Sequence, residues 1–547
     1  MKYRILIIIL IMTSCAKPKP FLISDWVPYN QSSELAKNAD HASVRLRYKL
    51  IQSKISDKNE MWKTIAPQIQ DFSEKDYITL LPLILEQNIP TIQSHIQSGK
   101  LTYKKLTQWY LFRIVKFENN KDTYLNNIIA INPNAVDEAK QKDNSKSEKN
   151  HPIFGIPVII KDNINMQGMV TTAGAYAFKD NVTEDAFIVT KIKQKGGIII
   201  AKSNLSEWAN YLCLTCPNGY SAIGGQTLNP YGRKTLDTGG SSSGSGSATA
   251  ANYATVSVGT ETSGSILSPS SSQSLVGLKP TVGLLSRGGI VPISSTLDTP
   301  GPMTKSVIDN AILLSVMVGN DVEDMATKGS PQNKTYWENL SSASLKGLKF
   351  GIYKTYMNDS LYKASVKTIV DLGGEVYEFE PLRIDFDGFG TILNADMKVD
   401  LPEYIKKYGS KNLPYQSVDD IVKFNYVDSL VRIPYGQGRF EGIVSENISE
   451  QDFATLKKRI KENAIQYFEK PMQVFGLDAI LSINNRNAGF AAAALYPCLV
   501  VPMGYENSGQ PAGLTFIGRP YTEDKLLGMG FAFEQATKAR KIPSDYR

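Results

Sequence analysis

The chain has 547 residues, 42% hydrophobic, 21% charged and 10% aromatic, a mix that supports a large buried core and does not read as disordered, fibrous or membrane-spanning. The formal net charge of +7 is spread, with Lys and Arg interspersed among Asp and Glu, so a nucleic-acid partner, which needs a basic stripe against phosphates, is not expected. The only histidines are His41, His95 and His151, which argues against histidine-based catalysis and against a histidine zinc cluster.

In chain order, Lys2 and Arg4 precede the short apolar run Ile5 to Met12, and Thr13 and Ser14 lead into Cys15. This is the layout of an export signal, too short in its apolar part to span a bilayer. With the cysteine where cleavage would fall, it resembles a bacterial lipoprotein signal. That implies removal of residues 1–14, a lipid on Cys15, and work in the cell envelope outside the cytoplasm, where disulfides persist. From Asp25 to Leu85 the Lys- and Gln-rich sequence has helical spacing, so residues 15–88 are expected to form a tether and a helical extension. A further helical stretch, Thr91 to Glu118, carries Ile92, Ile96, Leu101, Leu106 and Tyr110 on one pattern. Lys142 to Asn150 is expected to be a polar loop.

Beyond it the texture changes. Ile153 to Ile160 predicts a buried strand that ends at Lys161-Asp162-Asn163, Asp185 to Lys195 a helix stopped by Gly196-Gly197, and Ile198 to Ala201 a strand, after which Asn204 is placed to cap a helix. Leu348 to Tyr353, Ser360 to Leu372 and Val376 to Phe379 repeat the strand–helix–strand pattern, closed by Gly373-Gly374. Alternation of this kind predicts an α/β layered core with a substantial parallel component. Residues 386–469 are less regular and are expected to shape a pocket mouth.

The densest feature is Thr238-Gly239-Gly240-Ser241-Ser242-Ser243-Gly244-Ser245-Gly246-Ser247. Gly/Ser runs are usually flexible linkers, yet this one leads into a small-residue helical stretch and the alternation Val256, Val258. Gly240 to Gly244 also fits G-x-S-x-G, but the nucleophile elbow needs a histidine downstream and none exists. A reactive serine here must lose its proton to a lysine or a carboxylate.

From about Ile89 to the C-terminus the chain resembles the amidase signature family. The resemblance rests on Gly155 to Ile164, Gly225-Gln226-Thr227-Leu228-Asn229-Pro230, Gly239 to Ser247, Gly259-Thr260-Glu261-Thr262-Ser263-Gly264-Ser265-Ile266, Gly277 to Gly283, Asp298-Thr299-Pro300-Gly301-Pro302-Met303 and Pro511-Ala512-Gly513-Leu514, in that order. It implies a catalytic domain over 89–547 built on a large central twisted mixed β-sheet with α-helices on both faces. It also implies a Ser-cisSer-Lys triad: Ser265 as nucleophile, Ser241 as proton relay after a cis peptide, and Lys161 as base, with backbone N–H groups of Thr262, Ser263, Gly264 and Ser265 as oxyanion hole. No metal and no organic cofactor is implied. The substrate class implied is a small-molecule or peptide amide.

Two departures bear on the substrate. Many members carry Gly or Asp in place of Ser263 and Arg in place of Leu267, and the Arg pattern is that of relatives delivering ammonia to mischarged transfer RNA. Its absence, with the signal at Cys15, favours a stand-alone amidase over an amidotransferase component, and over an inactive binding lipoprotein because Lys161, Ser241 and Ser265 are all retained. Cys213 and Cys216, in Cys-Leu-Thr-Cys, are expected to pair in an oxidising compartment, two free thiols being the alternative. Cys498, in an apolar run, is expected in the core. Oligomeric state, monomer or homodimer, is not encoded legibly.

Overall fold

A computed structural model describes residues 22–145, 151–332 and 334–547; Cys15 and the export signal lie outside them. The expected mixed α/β architecture is present. Eleven strands form one sheet: β1 (Ile128–Ile131), β2 (Pro157–Lys161), β3 (Ile198–Ser203), β4 (Val256–Glu261), β5 (Val276–Lys279), β6 (Thr299–Thr304), β7 (Lys349–Tyr353), β8 (Glu375–Phe379), β9 (Ala479–Ile483), β10 (Cys498–Tyr505) and β11 (Pro511–Ile517). They lie in the order β1-β3-β2-β4-β6-β5-β10-β11-β9-β7-β8. β2 pairs in parallel with β3 and β4, and β7 with β9 and β8. The centre, from β4 through β6, β5, β10 and β11 to β9, is antiparallel. The parallel component thus sits in two flanking groups.

The apolar stretches Pro-Val-Ile-Ile-Lys and Ile-Ile-Ile-Ala-Lys-Ser are buried at every residue, as strands covered on both faces must be. Parallel pairing carries β2, β3 and β4 in one direction, so Lys161, Ser203 and Glu261 emerge together at their carboxyl ends, the edge where ligands bind in open α/β sheets.

Several elements differ from expectation for local reasons. The strand starts at Pro157 rather than Ile153, because Gly155 has φ +71° and turns the chain beneath the Tyr103 ring. The stretch Thr91 to Glu118 is two helices, Ile89–Gln97 and Tyr103–Glu118, parted by Gly99 at φ +72°. Part of the expected polar loop is helix, Ala135–Asn144, and residues 146–150 lie outside the described residues. Asn204 does not cap a helix. Its amide donates to the carbonyls of Asn126 (2.9 Å) and Gly225 (3.1 Å), and its oxygen accepts from Ser221, while the following turn runs through left-handed Trp208 and Ala209.

Residues 386–469 are mostly helical: Phe389–Tyr408, Val418–Tyr426, Gly438–Ser445, and Glu450 onward to Phe475. Internal Pro402 and Pro471 hide the pattern, since proline reads as a helix breaker. The N-terminal segment contributes helices Ser32–Asn38, Lys58–Ile65 and Glu74–Ile84. It is stitched to the body by the ion pair Lys58–Glu118 at 3.1 Å and by the Gln226 N–H donating to the Ile51 carbonyl at 2.8 Å.

Candidate active site

The Gly/Ser run is a helix, Ser243–Ala250, buried at every residue. Its composition suits close packing rather than flexibility. A Cβ at Gly244 would stand 2.2 Å from the Asn204 carbonyl oxygen, and the hydroxyls of Ser243, Ser245 and Ser247 donate to the carbonyls of Gly239 (2.6 Å), Val258 (3.1 Å) and Leu228 (2.9 Å). Buried hydroxyls are thereby satisfied in a helix of weak intrinsic propensity.

Just ahead of it the Gly240–Ser241 peptide is cis. The Ser241 carbonyl accepts from the Ser206 N–H at 3.0 Å, and the Ser242 N–H donates to the Ser265 carbonyl at 3.2 Å, which ties the two serine segments together. The Ser242 hydroxyl donates to the Thr260 carbonyl and accepts from the Thr260 N–H. Ser241 is fully buried, whereas Ser265 is half-buried at the start of the turn into the helix Leu267–Ser272.

Lys161 completes the cluster. Its Nζ donates to Ser241 Oγ at 2.7 Å, to Thr260 Oγ1 at 2.8 Å and to the Thr260 carbonyl at 3.3 Å. Successive β2 residues point to opposite sides: Lys161 and Asn163 both reach Thr260 Oγ1, while Asp162 pairs with Lys202 at 3.0 Å in a fully buried ion pair. Burial drives the Lys161 pKa from 10.5 to about 7, against the opposing pull of the Asp298 and Glu261 carboxylates. A lysine so placed is partly neutral near pH 7 and can accept a proton.

The loop 262–265 is held from two sides. Glu261 is buried, and its Oε2 accepts the N–H groups of Ile266 (2.7 Å) and Leu267 (2.9 Å), with the Gly264 N–H also turned toward it. Burial raises its pKa. On the other side the Thr262 hydroxyl donates to Asp298. Gly264 has φ +97°, and a side chain there would meet Asn485.

A cavity of about 250 Å³ meets this machinery at Thr260 and Thr262 and extends past Asp298 toward Arg287 and Asp400; neither Ser241 nor Ser265 lines it. Beyond Ser263 stand Gly489 and the rings of Phe386, Phe389 and Phe490, with Phe386 4.8 Å from each of the other two. Phe386 and Phe389 thus bring one end of the region 386–469 close to Ser263. Cys213 and Cys216 are joined as a disulfide. The adjoining Leu212 carbonyl accepts the N–H groups of Arg439 (3.1 Å) and Phe440 (3.4 Å). Cys498 is buried and unpaired. Among the described residues no group of three His, Cys, Asp or Glu side chains could hold a metal ion, and no helix is long and apolar enough to cross a membrane.

Lys161, Ser241 and the 262–265 loop are thus brought together from segments far apart in the chain. Sequence reasoning missed Thr260, Asn163 and Asp298 as neighbours. Each stands inside a family motif, and the period-two alternation Val256, Val258, Thr260 was the signal that could have placed Thr260 on the Lys161 side.

Residues 106–393 match the family model for Amidase. Over 479 residues the chain is 36% identical to a probable amidase of Arabidopsis thaliana, covering 84% of this chain and 92% of the relative. A glutamyl-tRNA(Gln) amidotransferase component of Alkaliphilus metalliredigens is more distant, at 29% over 83% of this chain and 96% of the relative. Among solved structures, an amidase family protein from Bacillus anthracis superposes with a TM-score of 0.86 at 37% identity, covering 90% of this chain and 99% of that one. Native peptide amidase from Stenotrophomonas maltophilia superposes with a TM-score of 0.79 at 33% identity, covering 84% and 98%. The chain belongs to the amidase signature family. It is an amide hydrolase, acting on C–N bonds other than ordinary peptide bonds.

Proposed function

We propose that the protein hydrolyses a carboxylic amide to the acid and ammonia or an amine through an acyl-enzyme on Ser265. Ser265 Oγ attacks the carbonyl carbon, and its proton passes through the Ser241 hydroxyl to neutral Lys161. The oxyanion is stabilised by backbone N–H groups of Thr262, Ser263 and Ser265, the Gly264 N–H being turned toward Glu261, and each such donor is worth ~3 kcal/mol or more of transition-state stabilisation in comparable sites. When the tetrahedral intermediate collapses, Lys161 returns the proton through Ser241 to the leaving nitrogen. Water then cleaves the ester by the same route in reverse. The 2.7 Å contact between Lys161 Nζ and Ser241 Oγ, made by a lysine whose burial brings its pKa to about 7, carries this reading.

The substrate side is supported by the cavity at Thr260 and Thr262 and by the Phe386, Phe389 and Phe490 rings near Ser263. Similarity to a peptide amidase, together with the Glu261-Thr262 sequence, favours C-terminally amidated peptides over simple aliphatic amides. Export and lipidation at Cys15 belong to the same reading and place the enzyme on the envelope. The test is mass-mapped labelling with a fluorophosphonate, beside turnover of amidated peptides, aryl amides and aliphatic amides. Label on Ser265, lost in Ser265→Ala, is expected; undiminished labelling of that variant refutes the assignment.

A further inference from the structure

We propose that Asp298 is a positioning residue for amide hydrolysis, its carboxylate fixing the Thr262 end of the oxyanion loop while its charge faces the Lys161 ammonium. The inference rests on the reading of Lys161 and Ser265 given above. It starts from the donors around the carboxylate: the Thr262 hydroxyl on Oδ1, and the N–H groups of Ile293 (2.8 Å) and Ser294 (2.9 Å) on Oδ2. All three are donors, which suits an ionised carboxylate that can only accept. The carboxylate therefore joins two loops, 293–298 and 262–265.

The first of these loops is itself anchored to the helix Phe389–Tyr408, where Asp396 accepts from the Ser294 hydroxyl and Asp400 from the Ser295 N–H. A continuous set of contacts runs from that helix through the 293–298 turn to the residue ahead of Ser263. Asp298, Asp400 and Thr262 also line the same cavity, so the contacts surround space open to a substrate.

The charged surroundings assign the electrostatic part. Two acids act on Lys161, Asp298 and then Glu261. Glu261 is occupied by the Ile266 and Leu267 N–H groups and faces Lys279. Arg287, which also acts on Asp298, is engaged in an ion pair with Asp324, at 2.9 Å from Nε and 2.5 Å from Nη2. Asp298 and Asp400 repel each other across the cavity. Asp298 thus shares its charge between Arg287 and Lys161, and of the two acids acting on the lysine it is the stronger.

The two roles separate experimentally. Asp298→Asn can keep its amide oxygen on the Ile293 and Ser294 N–H groups and donate from its NH2 to the Thr262 hydroxyl, but it removes the charge, so the acid limb of the pH profile for Ser265 labelling moves down by about one pH unit. Thr262→Val removes the tie and keeps the charge, so labelling slows about tenfold or more at an unmoved limb, and Thr262→Ser restores the rate. An acid limb in Asp298→Asn that coincides with the wild type overturns the electrostatic role. Thr262→Val labelling at the wild-type rate overturns the positioning role, and this arm stands even if Asp298→Asn fails to fold. A wild-type protein that does not label at Ser265 fails the underlying mechanism instead.

Discussion

In the proposed mechanism the pH dependence of nucleophile activation follows from one buried amine. Desolvation lowers the Lys161 pKa from 10.5 to about 7, and the Asp298 and Glu261 carboxylates only partly oppose it. At pH 7 about half of the lysine is neutral; at pH 5 the neutral fraction is about one hundredth. The second-order rate of Ser265 labelling by a fluorophosphonate should therefore fall about tenfold per pH unit below 7 and level off above about pH 8. Labelling reads the nucleophile directly, without knowledge of the natural substrate, and near-UV circular dichroism at each pH shows that the fold persists. Asp400, which burial raises to about 6 and which lines the neighbouring cavity, is one competing titration, beside Asp298 and Glu261, which burial also raises. The limb should stay near 7 in Asp400→Asn. A rate that keeps rising tenfold per unit through pH 9 would refute the reasoning, because it would show a lysine with its ordinary solvated pKa.

The same burial predicts an unusual stability effect. The folded pKa of Lys161 lies below its unfolded value, so the unfolded chain binds more protons between about 7 and 10.5, and stability climbs with pH across that window. Below pH 7 the full penalty of about 5 kcal/mol is present, and Lys161→Met should relieve it while stranding the Ser241 hydroxyl at a cost of about 1–3 kcal/mol. Denaturant unfolding should show the variant about 2–4 kcal/mol more stable at pH 6, with the advantage gone by pH 10.5; an equal gain at both values would contradict a desolvation origin. Glu207 gives the opposite slope. Burial raises it from 4.5 to about 8 although its Oε2 accepts the Ala222 N–H at 2.8 Å. Here the folded state binds the extra proton, so stability is fully present below 4.5 and declines as pH rises toward 8. Glu207→Gln should flatten that decline in urea melts between pH 5 and 8, and an unchanged slope would assign it to another group.

Much of the site is legible as local sequence because its components are local devices. Lys161 closes an apolar strand, Ser241 follows two glycines, and Ser265 follows Gly264, which holds φ +97° against Asn485. Less legible was the helical region 386–469, where Pro402 obscures the period of the helix Phe389–Tyr408, whose start brings Phe386 and Phe389 toward Ser263. The capping role expected of Asn204 failed because its amide is drawn into contacts with Asn126 and Gly225, distant in the chain and invisible to a local pattern.

By itself the sequence determined the layered α/β class, the absence of any histidine after residue 151, and the family motifs that single out Lys161, Ser241 and Ser265. Only the tertiary structure decided that Lys161 touches Ser241 and Thr260. Those contacts join residues 80 and 99 positions apart and depend on β2 lying between β3 and β4. It also decided that the lysine is dry, since a pKa near 7 is a property of the burial that closes over the side chain and not of the residue.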